Sequence, residues 1–237
     1  MQLAGQTVLV IGGSSGIGFE TARRARAHRA DLILTARNAD RLHQAGRELG
    51  AKIAAFDVAD TDRLMEFFAA LRGSVDHVFV SGSGPQYVPF ADLDAASIRR
   101  GVERIVLSVQ IALAAKDALR PTGSLLLIGG TPGRRPSAGP LISAVTVAMP
   151  ALTRSLALEL APIRVNLIAP GFVDTPLSAS LLGEDLDARR EQLRATLPIR
   201  RVVGPADVAA LAVELMVNTA VTGATFDIDG GQQLVDA

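Results

Sequence analysis

The 237-residue sequence has no cysteine, which excludes a disulfide framework and any thiolate-bound metal. Histidine is almost as scarce. His28, His43 and His77 are scattered without the spacing of metal ligands, so a metal site is not expected. Neither sign of charge is in excess, because 24 basic and 24 acidic side chains cancel. With no basic block either, the electrostatic footprint of a nucleic-acid or anionic-membrane binder is missing, and the expected partner is a small molecule. The opening "MQLAGQTVLVIGG" lacks a basic region before its apolar run. It reads as a buried strand rather than a signal peptide, and the expected location is the cytoplasm. The sharpest gap is local: the eighteen residues between Arg135 and Arg154 include no acid, base, histidine or tyrosine. Pro136, Gly139, Pro140, Pro150 and several hydroxyls within that stretch argue for an interior helix and against a membrane span.

Short apolar runs alternate with longer helical patterns along the whole chain. "TVLVIG", "DLILTA", "KIAAFD", "DHVFVS", "SLLLIG", "RVNLIA" and "ATFDID" read as strands. Such alternation predicts an α/β fold of the doubly wound kind: one mostly parallel, seven-stranded sheet with helices on both faces. No linker interrupts the pattern, so residues 1–237 are read as a single domain. A helix from about Ser97 to Ala118 carries Ile98, Val102, Ile105, Val109 and Leu113 on one face, and a helix from Pro140 carries Ile142, Val145, Met149, Leu152 and Leu156. Pro140 suits a first helical turn, and Pro150 should kink the second helix. The least regular stretch, 172–205, is expected to form a mobile flap of one or two short helices at the carboxyl edge of the sheet.

"TVLVIGGSSGIGFETARRA" is strand, glycine turn, helix. Gly12 can make the tight turn, Gly16 lets backbone approach a phosphate, and Gly18 lets the helix pack closely on the strand. The helix N-terminus offers N–H groups to an anion. This spacing, "FDV" at 56–58 and "APGFVDT" at 169–175 together resemble the short-chain dehydrogenases/reductases over nearly the full length, although Ile11 stands where that family usually has threonine. The resemblance implies a Rossmann fold and a nicotinamide dinucleotide. It places Gly12, Ser14, Ser15, Ile17 and Gly18 along the pyrophosphate and ribose, and Asp57 and Val58 at the adenine. Ser81 and Gly82 follow on the cofactor side, with Pro170, Gly171, Val173 and Thr175 near the nicotinamide. Where an acid after the second strand would repel a 2′-phosphate, this chain reads "LTARN". Arg37, helped by Asn38, Ser14 and Ser15, therefore favours NADP(H) over NAD(H); the competing reading is that Arg37 merely starts a solvated helix.

The resemblance also implies a tyrosine that moves the proton, a lysine one turn later that lowers its pKa, a serine and an asparagine. Aligned on "ALTRSLALEL", the tyrosine position falls on Ile142, the lysine position on Thr146, the serine position within Gly129 to Thr131 and the asparagine position on Ile105. The loop after the fourth strand is altered as well, to "SGSG". Register slip does not rescue the set, since the only lysines are Lys52 and Lys116 and the only tyrosine is Tyr87. Lys116 lies about 16 Å along a helix from Ile105. Tyr87, in "GSGPQYVPF", is a candidate proton donor, against the reading that its ring packs in the pocket wall. Arg134, with Arg135, is a candidate anion or oxyanion binder, against a solvated turn or subunit contact. For Ser143 and Thr131, ordinary backbone bonding is expected, and His77 belongs to the wrong end of the sheet. Val88, Phe90, Ile142, Phe172 and Leu177 would line an apolar pocket. Two functions fit. One is an atypical NADP(H)-dependent oxidoreductase acting on an easily reduced acceptor. The other is a non-catalytic NADP(H)-binding regulatory protein. The resemblance further implies a homotetramer or dimer built on the two long helices, whose apolar faces would look the same if buried within one chain.

Overall fold

In the computed structural model, which describes residues 2–81, 84–85, 87–134 and 139–235, all seven apolar runs become strands. They are β1 (Thr7–Ile11), β2 (Asp31–Ala36), β3 (Lys52–Ala55), β4 (Val75–Val80), β5 (Leu119–Ile128), β6 (Arg164–Pro170) and β7 (Thr225–Ile228). One sheet of order β3-β2-β1-β4-β5-β6-β7 holds them, and every neighbouring pair is parallel. The expectation of a mostly parallel sheet is thus met by a wholly parallel one. Along β1 the side chains alternate between the two faces: Val8 and Val10 join the core beneath one helical layer, Leu9 and Ile11 the core beneath the other.

The first layer contains α1 (Gly16–Ala27), α2 (Ala39–Leu49) and α8 (Pro205–Val217); the second contains α3 (Thr61–Ala69), α4 (Ala95–Ala115) and α5 (Pro140–Glu159). Strand β5 starts at Leu119 and not near Ser124, because Val75 pairs with Leu119 ahead of a register break. Gly123 permits this, since a Cβ there would lie 2.3 Å from the Asp76 carbonyl oxygen.

Pro140 sits in the first turn of α5, and the helix runs through Pro150 to Glu159. Its inward residues Ile142, Val145 and Met149 are buried, while Leu152 and Leu156 pack on the same core. Among the described residues α5 is the one helix long and apolar enough to cross a membrane by length and composition; here it packs against α4 and β6.

The apolar stripe read on α4 lies mostly on its outer face. Ile98, Val102, Val109 and Leu113, with Val106, are 37 to 54% exposed. Only Ile105 of the expected set packs on the core, alongside Leu107. The buried side of α4 is made of Ser108, Ile111, Ala112, Ala114 and Ala115. The helix therefore has two apolar faces, and the bulkier one points outward.

Stretch 172–205 folds into α6 (Pro176–Leu182), a 3-10 turn (Gly183–Asp185) and α7 (Leu186–Thr196). Its ends meet in a parallel bridge between Val173 and Val203. Arg190 fastens α7 to that base with two bonds to the Asp174 carboxylate, 2.8 and 2.9 Å.

Candidate cofactor and substrate site

The glycine turn lies where the strand order reverses, between β1 and β4 at the carboxyl edge of the sheet, the usual place for a ligand in an open α/β sheet. The N–H groups of Gly12 and Gly13 donate to the Thr35 carbonyl at 2.8 and 3.1 Å, and that of Ser81 donates to the Ile11 carbonyl at 2.8 Å. Gly12 has φ +81°, and a Cβ there would fall 1.8 Å from the Ser81 carbonyl oxygen; a Cβ at Gly18 would fall 2.2 Å from the Gly12 carbonyl oxygen. No other residue fits at either place. At Gly16, φ is +55° and the nearest atoms to where a Cβ would stand belong to Thr175, at 3.7 Å, so the first and last expected contact segments meet here. Ser15 caps α1 without a side-chain hydrogen bond, and the first turn contains no acid. The N–H groups of that turn are thereby left for an anion. This donor set fits a dinucleotide pyrophosphate. Ser14 is half-buried, Ser15 is exposed, and Ile17 packs on the core beneath.

Arg37 stands exposed one residue past the end of β2 and makes no ion pair among the described residues. Asn38 next to it is engaged elsewhere, since its Oδ1 accepts from the Arg41 N–H at 2.9 Å and caps α2. The Asp57 carboxylate accepts from the Ala59 N–H at 3.0 Å, and Val58 lines a small interior cavity. The Pro170 carbonyl accepts from the Thr131 N–H at 3.2 Å. Gly171 has no room for a side chain, since a Cβ would lie 2.6 Å from both Asp229 and Gln232. Val173 is buried in the core and bridges to Val203. Thr175 Oγ1 caps α6 by accepting from the Ser178 N–H at 3.2 Å. Gly82 and Arg135 lie outside the described residues.

Ile142 is buried and Thr146 is fully engaged. Its hydroxyl donates to the Ile142 carbonyl at 2.8 Å and accepts from the Gly133 N–H at 2.8 Å, tying α5 to the 3-10 turn Pro132–Arg134. Contact is so close that a Cβ on Gly133 would lie 2.5 Å from the Ser143 carbonyl oxygen. For Ser143 the expected backbone bond is absent: Oγ is buried without a hydrogen-bond partner among the described residues. The guanidinium of Arg134, the candidate anion binder, pairs with Asp227 on β7, both side chains being partly exposed.

Tyr87 is 57% exposed. Protein crowded against the phenol nonetheless raises its pKa, while Arg104 first and Arg189 second pull it down. Arg104, from α4, donates to the carbonyls of Ile128 at 3.0 Å and Gly129 at 3.3 Å. Desolvation lowers its pKa, and Tyr87 opposes that. It lines a cavity of about 20 Å³ with Ile11, Val58, Val80 and Ser108, room for about one water. Arg189, from α7, donates to Gln192 Oε1 at 2.6 Å. The expected apolar wall is partly present: Leu177 packs where a Cβ on Gly84 would be, but Phe90 is 76% exposed. Sequence reasoning missed Arg104 and Arg189. The available signal was Arg104 sharing a helical face with Ser108 and Ile111, at the four- and seven-residue spacing of a core stripe.

His77 lies at the opposite edge, as expected. Its Nδ1 is 2.8 Å from Ser124 Oγ and its Nε2 is 2.9 Å from Gln6 Oε1. Burial, with Arg164 adding to it, lowers its pKa to about 4.

Comparison with known proteins agrees with this geometry. A family profile described as Enoyl-(Acyl carrier protein) reductase matches residues 11–233. The cis-4-hydroxycyclohexanecarboxylate dehydrogenase of Sinomonas cyclohexanicum is 34% identical over 98% of this chain and 98% of its own. The solved MalC reductase/Diels–Alderase of Malbranchea aurantiaca superposes with a TM-score of 0.89 at 26% identity, covering 98% of each chain. BdcA in complex with NADPH superposes at 0.86, with 29% identity over 97% of this chain and 95% of that one. Fold and site define a nicotinamide-dependent oxidoreductase class. Within it, the chain belongs to the short-chain dehydrogenase/reductase family.

Proposed function

We propose that the protein is an NADP(H)-dependent reductase of activated acceptors such as quinones, imines or electron-poor alkenes. The observation that carries this reading is the uncapped N-terminus of α1 beside the glycine turn, with Arg37 exposed at the end of the neighbouring strand. Bound there, the cofactor supplies a hydride. Gly12, Gly16 and Gly18 shape the pyrophosphate cradle, Ser14, Ser15 and Arg37 select the 2′-phosphate, and the segment from Pro170 to Thr175 borders the nicotinamide. Asn38 Oδ1 serves α2 instead, so the selection falls mainly on Arg37. Ile142 and Thr146 offer no proton and no cation where the family pattern places them. Tyr87, the single phenol of the chain, is the donor in this reading. General acid catalysis is worth roughly 10² to 10⁴-fold, so an acceptor that needs little protonation is favoured. The outward stripe of α4 supports a homo-oligomer that pairs α4 and α5, and the cytoplasmic, single-domain reading of the chain is retained.

Two measurements test this. NADPH should bind more tightly than NADH, and equal affinities reject the role of Arg37. NADPH consumption should occur with a panel of quinones, imines and dicarbonyls and fall in Tyr87→Phe, while Arg134→Ala leaves it unchanged. The engagement of Thr146 with Gly133 favours a second reading, a nucleotide-responsive binding protein without turnover. Failure of the whole panel despite tight NADPH binding selects it.

A further inference from the structure

Sixteen residues separate Asp174 from Arg190 in the chain, and the fold closes them into one ion pair. Nε of Arg190 donates to Oδ2 of Asp174 at 2.9 Å, and Nη2 donates to Oδ1 at 2.8 Å. Both carboxylate oxygens are used, so the two planar groups hold each other in one orientation. The third nitrogen, Nη1, donates at 2.8 Å to Asp187, one turn back on α7. That carboxylate is 88% exposed, whereas the side chains of Arg190 and Asp174 are 29% and 32% exposed. The fork is therefore the less screened of the two contacts. Leu193, three residues further along α7, is fully buried and anchors the helix without it.

The other end of the fork lies in the expected cofactor segment. Asp174 precedes Thr175, and its N–H donates to the Val203 carbonyl at 2.9 Å. Thr175 donates its own N–H to Ser178 Oγ at 2.8 Å, and its side chain stands 3.7 Å from where a Cβ on Gly16 would be. Two residues on, Leu177 comes within 3.0 Å of where a Cβ on Gly84 would be. The passage 174–177 thus touches both the glycine turn after β1 and the loop after β4, and Arg190 grips the residue at its start.

We propose that Arg190 is a positioning residue for the cofactor: through its fork with Asp174 it fixes the segment that borders the nicotinamide, so that docking of α7 and binding of the nicotinamide half of NADP(H) strengthen each other. The inference rests on the placement of that half beside Pro170 to Thr175. Arg190 acts through Asp174. A segment already held in place loses less freedom when the cofactor arrives, and the coupling is reciprocal. The planar fork is what suits arginine to this task, since an ammonium is a point charge and leaves the carboxylate free to turn.

Two ligands separate the halves of the site. Adenosine 2′,5′-bisphosphate carries the adenosine and the 2′-phosphate and lacks the nicotinamide. Arg190→Gln should weaken NADPH about three- to tenfold in calorimetry, the scale of a partly buried ion pair, and leave the bisphosphate within about twofold. Arg190→Lys should fall between wild type and Arg190→Gln. Asp174→Asn should lose as much as Arg190→Gln, and the double variant no more than either, because one contact can be broken only once. In cofactor-free protein, amide exchange over residues 174–177 should quicken in each single variant. If Arg190→Gln does not fold, Asp174→Asn carries the same comparison of ligands. Unchanged NADPH affinity, equal weakening of both ligands, additive losses or unchanged exchange each overturn the proposal. Failure of the underlying reading looks different: wild-type protein that binds NADPH no more tightly than the bisphosphate rejects the placement of the nicotinamide, and the role of Arg190 falls with it.

Discussion

Two strand-to-helix corners lie at the same edge of the sheet and use their hydrogen-bonding groups in opposite ways. After β1, the cap of α1 makes no side-chain bond, and Gly12 and Gly18 let the turn close tightly on its own backbone. Ahead of α5, the Thr146 hydroxyl and the Gly133 N–H consume each other, and the turn Pro132–Arg134 presses on the helix with no room for a Cβ on Gly133. Open backbone donors need an outside partner; closed ones stabilise only the fold. The first corner thus leaves backbone donors open to a ligand, while at the second the Gly133 N–H is already taken by Thr146.

The largest effect should come from closing the open corner. Gly12→Val combines φ +81° with a Cβ 1.8 Å from the Ser81 carbonyl oxygen. Strain of roughly 3 kcal/mol or more should abolish NADPH binding in a fluorescence titration, and normal binding would erase the contrast between the corners.

Next comes acid, which acts far from both corners. Buried His77 has its pKa lowered from 6.5 to about 4, so the unfolded chain takes up the proton first. Stability is full above pH 6.5 and is lost as pH falls toward 4, by about 3 kcal/mol. Urea midpoints across that window should fall in the wild type and fall less in His77→Gln, with equal slopes counting against the assignment.

Arg37→Ser should weaken NADPH by about 10- to 100-fold, the worth of a charge-assisted bond or two. NADH affinity should stay the same; calorimetry that shows both cofactors equally affected would place Arg37 outside the site. The smallest effect belongs to the closed corner. Thr146→Val should lower stability by about 1 to 2 kcal/mol in chemical denaturation and leave NADPH affinity untouched. A loss of binding there would mean that the second corner is not scaffold after all.

Much of this was legible in the sequence because it is local. Strands buried on both faces are continuous apolar runs, and the glycine turn is a spacing of a few residues, so the sheet and the cofactor cradle could be read directly. The orientation of α4 could not, since Ile98, Val102, Val109 and Leu113 on one side compete with Ile111, Ala112 and Ala115 on the other and periodicity alone does not say which side faces the core. Non-local pairs were hidden too. Arg134 looked available in sequence, but Asp227, 93 residues away, is bonded to it. Arg104 and Arg189, which act against the burial-raised pKa of Tyr87, come from helices far from it in sequence.

The strand reversal that creates the site also sets its place in assembly. The ladder β1 to β2 joins residues 24 apart, Thr7 to Asp31, whereas β1 to β4 joins Val8 to His77 and is tied at its start by the Thr7 N–H to Asp76, 69 residues on. Closing the larger loop costs about 1 kcal/mol more in chain entropy, and among the ladders of this sheet it spans the greatest separation. A refolding chain thus gains the wings of the sheet at lower entropic cost than its centre, and the crevice that would receive the nucleotide is the part whose formation is most delayed by topology.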